Sequence, residues 1–371
     1  MVGTTNTETV ASRLNGRAAG VLTIVGPLPP PAGGMSIFNA RLTDELRARG
    51  WRVSLLATGR EEPAGWPVEA HLRNSLLRHF FLVLRHATGI VHVHDRVSPL
   101  TLCAVVAVRL RRLRVVVQVH GEPLHVLTRR RGIDIFRRAA LRLADCTIAV
   151  NSHVAEQIRA YAHGEIFLIP AFIEPTGSEL DDIDAETARW LGSDPGTPLL
   201  SAVVYRALAA VSGRTDVYGL DALASLVERI APRRRVRLAL MLAQPGLDNE
   251  EQRYIDTMTT RLSRALGDDL KVLVGASAVP VIARSSLFLR PTRTDGDAVS
   301  VREALSLGVP VLASDVAPRP PGTVVYRQGD LEELTAKALA LLGSGRSSDR
   351  AHGAHATVEA LERVYSSLSA R

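Results

Sequence analysis

Three acidic side chains gather in the stretch RPTRTDGDAVSVREALSLGVPVLASD, residues 290–315 of a chain with a net charge of +7. Asp295 and Asp297 flank a glycine, and Glu303 lies in an apolar segment that predicts a helix beginning near Val299. Because helical side chains lean toward the N-terminus of their helix, Glu303 can reach the space beside the preceding loop. Carboxylates accept hydrogen bonds in pairs, which suits the hydroxyls of a ribose or a sugar ring. The alternative is that Asp297 caps the helix and the other two acids are solvated.

The start of the same predicted helix offers groups that suit a phosphate. Its first backbone amides have no acceptor within the helix, and together with the helix dipole they attract a diphosphate. These amides belong to Ala298, Val299 and Ser300. Since the chain contains only two lysines, we expect arginines to accompany the phosphate. Arg206, after a predicted strand, is the first choice and Arg214 the alternative, while Arg290 either neutralises phosphate or pairs with an acid.

Two motifs in the N-terminal half follow predicted strands. Gly33 and Gly34 come after VLTIVG and a proline run, and glycine allows a close approach of the backbone to phosphate. The alternative for this pair is a simple turn before a helix, and the dinucleotide fingerprint G-x-G-x-x-G does not occur here. His120 ends the strand RVVVQVH, where it either contacts a ligand or makes a local hydrogen bond. His92 and His94 share one strand face but lack further ligands at metal-binding spacing, so a structural role is expected.

The elements that position these residues alternate between short β-rich runs and amphipathic segments from Val21 onward. Strands that are nearly continuous in Val, Ile and Leu predict parallel sheets with helices on both faces. The predicted fold class is therefore α/β, with two doubly wound, Rossmann-like domains whose strand ends face a common cleft. The predicted boundaries are a flexible tail over 1–20, a first domain over 21–175, a linker over 176–198, a second domain over 199–346 and a final helix over 347–371.

Composition limits the classes of protein that the chain can belong to. Its 371 residues exceed what one hydrophobic core usually serves, which agrees with two domains. Cys103 and Cys146 lie in apolar runs, which indicates free thiols in a reducing compartment. Residues 1–175 contain 22 arginines against 13 acids, whereas residues 176–371 contain 23 basic against 25 acidic residues. We expect no signal peptide, and the longest apolar run is shorter than the roughly 20 residues that span a bilayer.

Taken together, these motifs resemble the GT-B glycosyltransferases of family 4. The resemblance rests on the glycine loop, on the His-Gly pair after a strand, and on an acid followed eight residues later by Glu303. It implies the GT-B fold and the transfer of a sugar from a nucleotide-sugar donor with retention of configuration, without a metal or other cofactor. It assigns His120 and Asp295 to the transferred sugar and Glu303 to the ribose. The implied sugar-donor site contains Gly33, Gly34, Arg206, Arg290, Asp297, Ala298, Val299, Ser300 and Glu303.

One departure from the family pattern concerns the sugar-donor phosphates. Tyr218-Gly219 stands where many members have Lys-Gly, so the stabilisation of the leaving group is open. Two alternatives remain for this reason. The first is a nucleotide-sugar epimerase or hydrolase of the same fold, and the second is a non-catalytic partner protein that resembles a glycosyltransferase.

The resemblance also implies an acceptor and a location. The sequence around the acids is similar to that of enzymes of cell-surface polysaccharide assembly. This resemblance suggests a lipid-linked saccharide acceptor and a cytoplasmic protein peripheral to the inner membrane face. Arginine-rich segments at 109–114, 128–132 and 137–142, near the aromatic pair Phe80-Phe81, suit an anionic membrane. The alternative is a solvated basic surface. No nucleic-acid-binding module is recognisable.

Overall fold

A computed structural model describes most of the chain. The described residues are 20–59, 63, 65–72, 75–95, 97–121, 131–207, 216–243, 248–344 and 354–370. The tail predicted over 1–20 therefore lies outside the described residues except for Gly20, and so does Arg214. Most of the basic segment 128–132 lies outside them as well.

The first domain is built on a sheet of seven parallel strands in the order β3-β2-β1-β4-β5-β6-β7. The strands are β1 (Val21–Pro27), β2 (Arg52–Thr58), β3 (Ala70–His71), β4 (Ile90–Asp95), β5 (Arg114–Val119), β6 (Cys146–Ala149) and β7 (Ile166–Leu168). β1 and β4 are adjacent although two strands separate them in sequence, so the chain order reverses between them. In open α/β sheets, ligands bind at the carboxyl ends of the strands on either side of such a reversal.

Among the described residues of the first domain, five helices follow these strands. They are α1 (Gly34–Ala48), α2 (Leu76–His86), α3 (Pro99–Leu110), α4 (Arg131–Leu143) and α5 (Ser152–Ile158). The amphipathic sequence of residues 71–89 predicts one helix over that whole range, and the helix in the structure is shorter. It begins after Ser75, whose side chain accepts a hydrogen bond from the backbone of Arg78, while His71 pairs with β2 as part of an edge strand. α3 packs between α2 and α4.

The segment predicted as a linker contains two short helices. α6 (Gly177–Leu180) is capped by Thr176, and α7 (Ala185–Gly192) is capped by Asp184. Both caps are polar side chains that accept hydrogen bonds from the first turn, the usual way for a short helix to begin. Leu191 of α7 belongs to the hydrophobic core of the second domain, so part of this segment is tied to that domain.

The second domain repeats the same plan with six parallel strands in the order β10-β9-β8-β11-β12-β13. The strands are β8 (Leu199–Val204), β9 (Arg237–Leu242), β10 (Leu270–Val274), β11 (Leu287–Arg290), β12 (Val311–Ser314) and β13 (Thr323–Tyr326). The helices are α8 (Leu220–Ile230), α9 (Asn249–Leu266), α10 (Val279–Arg284), α11 (Val299–Ser306) and α12 (Leu331–Ser344), with a 3-10 turn at Gly267–Asp269. The prediction of two doubly wound parallel-sheet domains is confirmed.

The last helix, α13 (Ala354–Ser369), packs on the first domain. Its buried Tyr365 donates to or accepts from Nδ1 of His92 in β4 at 2.7 Å, and Glu362 accepts from the indole of Trp51 at 3.0 Å. Its apolar side chains join the core of the first sheet. Within the described residues, no helix has the length and apolar character needed to cross a bilayer.

Candidate functional site

The glycine loop of the first domain lies directly against the second domain. α1 begins at Gly34, and a Cβ at Gly33 would stand 2.8 Å from the ring of Tyr205, which follows β8. A Cβ at Gly34 would stand 3.3 Å from Cγ2 of Val299, the first residue of α11. A larger residue at Gly33 would therefore displace the ring of Tyr205, so these glycines permit a close approach between domains.

His120 and the acid loop meet at the same place. A Cβ on Gly296 would lie 2.9 Å from the carbonyl oxygen of His120, and Asn151 donates to the carbonyl of Gly296 at 3.2 Å. Nε2 of His120 is 2.9 Å from Nδ1 of His94, so one ring donates to the other. The structure thus brings the strand end of β5 into contact with the loop between β11 and α11.

Asp295 is held by two arginines. Arg290 donates from Nε and Nη2 to both carboxylate oxygens at 3.0 Å, and Arg319 donates from Nη1 at 2.8 Å. Burial by itself would raise the pKa of Asp295, but the two guanidinium groups hold that pKa well below its usual range. Asp295 is therefore a carboxylate at neutral pH that is already bonded to cations of its own domain.

Asp297 does not cap the helix, so the alternative of a plain cap is wrong. α11 begins at Val299 with Ala298 in the capping position, and no side chain bonds to its first turn. The carboxylate of Asp297 instead accepts from Nε of Arg302 at 2.8 and 3.0 Å. Burial raises the pKa of Asp297, while Arg302 and the backbone of Ala171 act in the opposite direction. The physical reason is geometric, because this side chain turns toward Arg302 and not toward the first amides.

Glu303 takes part in an ion pair that joins both domains. Its Oε1 accepts from Nη2 of Arg41 in α1 at 2.6 Å, and the two side chains are only 7% and 5% exposed. Arg41 also donates to both carboxylate oxygens of Glu179 in α6, at 2.8 to 3.1 Å, and to the carbonyl of Ile173 at 3.0 Å. The first domain, the connecting segment and the second domain thus share one buried cation. A ribose at Glu303 would have to share this carboxylate with Arg41.

The two arginines predicted to contact phosphate also have partners. Arg206 donates from Nη2 to Glu251 at 3.2 Å, and Glu251 is completely buried. Arg290, besides holding Asp295, lies over the ring of Tyr218 with 4.9 Å between the guanidinium carbon and the ring centroid. Tyr218 therefore positions an arginine by a cation–π contact.

Among the cations of this site that sequence reasoning missed are Arg41 and Arg319. Arg41 follows Gly34 by seven residues, which puts both on one face of α1, and Glu303 follows Val299 by one turn. Since Gly34 faces Val299, the two helices bring Arg41 to Glu303. That helical spacing could have been used to predict the pairing of Arg41 with Glu303 from the sequence. Arg319 follows β12 in a loop without periodicity, so no local pattern indicated it.

Comparisons with known proteins agree with this architecture. Residues 32–176 match the family model described as Glycosyltransferase Family 4. No curated protein matches by sequence. Among solved structures, sucrose-phosphate synthase from Thermosynechococcus elongatus superposes with a TM-score of 0.65 at 16% identity, covering 94% of this chain and 99% of that one.

Two further solved structures carry nucleotide sugars. HepE from Anabaena in complex with UDP-glucose gives a TM-score of 0.63 at 15% identity, covering 94% of this chain and 97% of that one. UDP-GlcNAc 2-epimerase from Neisseria meningitidis bound to UDP-GlcNAc gives 0.60 at 13% identity, covering 94% and 99%. The chain therefore has the GT-B fold, and its first domain matches a glycosyltransferase family model.

Proposed function

We propose that the protein transfers a sugar from a nucleotide-sugar donor to an acceptor with retention of configuration. The observation that carries the proposal is the contact of the Gly296 loop and α11 with His120, Gly34 and Arg41 of the other domain. The family match over residues 32–176 and the fold shared with proteins that bind UDP-sugars support it. In this arrangement the second domain binds the nucleotide, and the acceptor approaches from the first domain.

The proposed reaction is a front-face displacement. The acceptor oxygen forms a bond to the anomeric carbon while the bond from that carbon to the diphosphate breaks, and the acceptor proton passes to a phosphate oxygen. The first amides of α11, with Arg206 and Arg290, stabilise the leaving diphosphate. Glu303 binds the ribose hydroxyls, and His120 and Asp295 lie beside the transferred sugar. The proposed chemistry needs no metal ion.

A binding test distinguishes a contact of Glu303 with the ribose from its role in the ion pair with Arg41. We expect UDP-, GDP- or ADP-glucose to bind the wild type in calorimetry, and Glu303→Gln to weaken the best of them about 10- to 100-fold, because hydrogen bonds to a charged group contribute about 1.5–3 kcal/mol. Glu179→Gln is the matched control, since it also removes one carboxylate partner of Arg41 but leaves Glu303 intact. If both variants weaken binding equally, Glu303 does not contact the ribose. If no nucleotide sugar binds the wild type, the proposed function fails.

We further propose a lipid-linked saccharide acceptor, reached at an anionic membrane through the α2–α4 surface. This surface consists of the exposed apolar residues Leu76, Leu77, Phe81, Leu110, Ile135, Phe136 and Leu143. Exposed arginines lie on the same helices and in the turn that directly follows α3. They are Arg78, Arg85, Arg109, Arg111, Arg112, Arg138 and Arg142. Apolar groups that insert between lipids, combined with arginines that pair with anionic headgroups, favour binding at the membrane surface over a purely solvated role.

The membrane proposal predicts cosedimentation with vesicles that contain phosphatidylglycerol, declining as salt is added. Leu77 of α2 is 72% exposed on this surface, and Leu168 of β7, an edge strand of the first sheet, is 57% exposed. Leu77→Gln should reduce the bound fraction, whereas Leu168→Gln should not. Equal binding by both variants, or no binding at low salt, would refute the assignment of this surface.

One observation favours a second candidate function. The fold is shared with UDP-GlcNAc 2-epimerase, which was solved bound to UDP-GlcNAc. An epimerase or hydrolase would convert the sugar donor in the absence of any saccharide, which proton NMR of the nucleotide sugar detects. A non-catalytic relative would bind no nucleotide sugar, since Asp295, Glu303 and Arg206 would then serve only as structural ion pairs.

A further inference from the structure

A row of imidazoles runs from the last helix to the cleft. His92 and His94 lie on one face of β4 with 3.9 Å between their ring centroids, and they are 0% and 2% exposed. Nδ1 of His92 is bonded to the hydroxyl of Tyr365, and Nδ1 of His94 is 2.9 Å from Nε2 of His120. Of these three imidazoles, His120 alone is partly exposed. His94 is therefore in direct contact with the histidine that is proposed to lie beside the transferred sugar.

The ring of His94 carries a single proton at neutral pH. Burial lowers the pKa of His94 well below its usual value, and the neighbouring rings of His92 and His120 act in the same direction. The proton of a neutral imidazole is on Nδ1 or on Nε2, and the other nitrogen is a hydrogen-bond acceptor. His94 thus either donates to His120 or accepts from it, and the two cases put the proton of a neutral His120 on different nitrogens.

The surroundings of Nε2 decide between these two cases. Nε2 of His94 is shielded from solvent and has no hydrogen-bond partner within the part of the chain that the structure describes. A proton on Nε2 would leave a buried N–H group without an acceptor, whereas a proton on Nδ1 is used in the bond to His120 and leaves only a bare nitrogen. Among buried backbone groups, N–H groups without an acceptor are rarer than incompletely bonded acceptors. The same order applied to the imidazole makes His94 the hydrogen-bond donor.

This bond fixes which nitrogen of His120 can donate. Because Nε2 of His120 accepts from His94, the proton of the neutral His120 ring is on Nδ1. The ring of Phe38 packs against both imidazoles, with its centroid 5.8 Å from that of His94 and 5.5 Å from that of His120, and it restricts their rotation. His120 therefore has an N–H group at Nδ1, which suits an oxygen acceptor such as a hydroxyl or the ring oxygen of a sugar.

We propose that His94 is a positioning residue that fixes the tautomer of His120, so that Nδ1 of His120 donates a hydrogen bond to an oxygen of the transferred sugar. The inference rests on the proposed function, because it specifies how one residue of that site binds the sugar. The carbonyl of His120 is next to the Gly296 loop, so a sugar bonded to this histidine is held where the two domains meet.

Three variants separate the tautomer from the packing of the ring. His94→Asn and His94→Asp are a matched pair, since the two new side chains have nearly the same shape. The amide of asparagine can donate to Nε2 of His120 as His94 does, whereas an aspartate carboxylate only accepts and draws a proton to Nε2. Tyr365→Phe is the control, because it removes the hydrogen bond to the neighbouring His92 and leaves the bond between His94 and His120 in place.

The first measurement is a long-range proton–nitrogen NMR spectrum of the full chain with isotope-labelled histidine at neutral pH, in which protonated and bare imidazole nitrogens resonate far apart. The signals of His120 are identified by their loss in His120→Gln. We expect a protonated Nδ1 and a bare Nε2 on His120 in the wild type, in His94→Asn and in Tyr365→Phe, and a protonated Nε2 in His94→Asp. A proton on Nε2 of His120 in the wild type, or a tautomer that His94→Asp leaves unchanged, would overturn the inference.

The second measurement compares, by calorimetry, the affinity for UDP-, GDP- and ADP-glucose with the affinity for UDP, GDP and ADP. Because the lost bond is to the sugar, His94→Asp should weaken the best nucleotide sugar about three- to tenfold and leave its nucleoside diphosphate unchanged. His94→Asn and Tyr365→Phe should bind both ligands as the wild type does. Equal weakening of both ligands would contradict the sugar contact. If the wild type binds no nucleotide sugar, the proposed function fails, whereas an unexpected tautomer refutes only the inference.

Discussion

The ion pair between Arg41 and Glu303 predicts that the two domains lose stability together when it is broken. Arg41→Met keeps most of the side-chain volume but removes the cation that two carboxylates share. Glu303 is then left 7% exposed and without its counterion. Removing one partner of a buried pair costs about 3–5 kcal/mol, and that range is expected for Arg41→Met.

Glu303→Gln should lower the free energy of unfolding less than Arg41→Met does, because Arg41 keeps its other partners. After Glu303→Gln, Arg41 retains its bonds to both oxygens of Glu179 and to the carbonyl of Ile173. Only one charged hydrogen bond is lost, which corresponds to about 1.5–3 kcal/mol. Arg41→Met leaves the buried carboxylate of Glu303 without a counterion, and adding Glu303→Gln removes that charge. The double variant should therefore be more stable, by about 1–3 kcal/mol, than the sum of the two single effects predicts.

Urea unfolding followed by tryptophan fluorescence measures these differences from midpoint shifts at a common slope. Trp51 lies in the core of the first domain and Trp190 packs against the core of the second, so both domains report. If Arg41→Met unfolds at the wild-type midpoint, or if the two effects simply add, the pair does not couple the domains and the reasoning is refuted.

Three further predictions concern Gly296, Asp295 and His79. Gly296→Ala would place a methyl group 2.9 Å from the carbonyl of His120, so the cleft must widen and transfer activity should fall at least tenfold with unchanged nucleotide affinity, measured as kcat against Kd. Asp295→Asn should destabilise the protein at neutral pH, because the folded pKa of Asp295 is depressed and its contribution is fully present above the unfolded value near 4. The difference from the wild type should shrink as the pH falls below about 4 toward the depressed folded pKa, and a parallel pH profile in the variant would contradict this. Burial lowers the pKa of His79 to about 4, so the unfolded chain takes up a proton first and stability falls between about pH 6.5 and 4; His79→Phe should remove roughly 3 kcal/mol of that fall, and His71→Phe should not.

The fold was accessible from the sequence because its signals are local. Alternation of Val-rich strands with amphipathic helices indicated both parallel sheets. The helix start near Val299 was also predicted, since an apolar period begins there. The edge strand at Ala70–His71 was not, because two residues carry no period, and pairing with Leu56 and Ala57 of β2 creates it.

The electrostatic partners of the site were mostly beyond sequence reasoning. Arg41 and Glu303 are 262 residues apart, and only the packing of α1 against α11 brings them together. The role of Tyr218 likewise depends on Arg290 crossing from β11 to stack on its ring. His79 looked like any histidine of an amphipathic helix, because the lack of hydrogen-bond partners becomes apparent only when α2 is packed. The roles of these residues depend on contacts between positions far apart in sequence, which residue type alone does not predict.

The packing of α13 on the first sheet makes the first domain discontinuous in sequence. Its core contains residues 21–173 together with Val358, Leu361 and Tyr365, whereas the second domain is formed by one continuous stretch inserted between them. During synthesis from the N-terminus, the second domain can complete its core before the first domain receives its last helix. The side chain of Tyr365 then reaches His92, two strand positions from His94, as the final step of assembly. The first-domain side of the cleft would thus mature last, only after the second-domain side has formed.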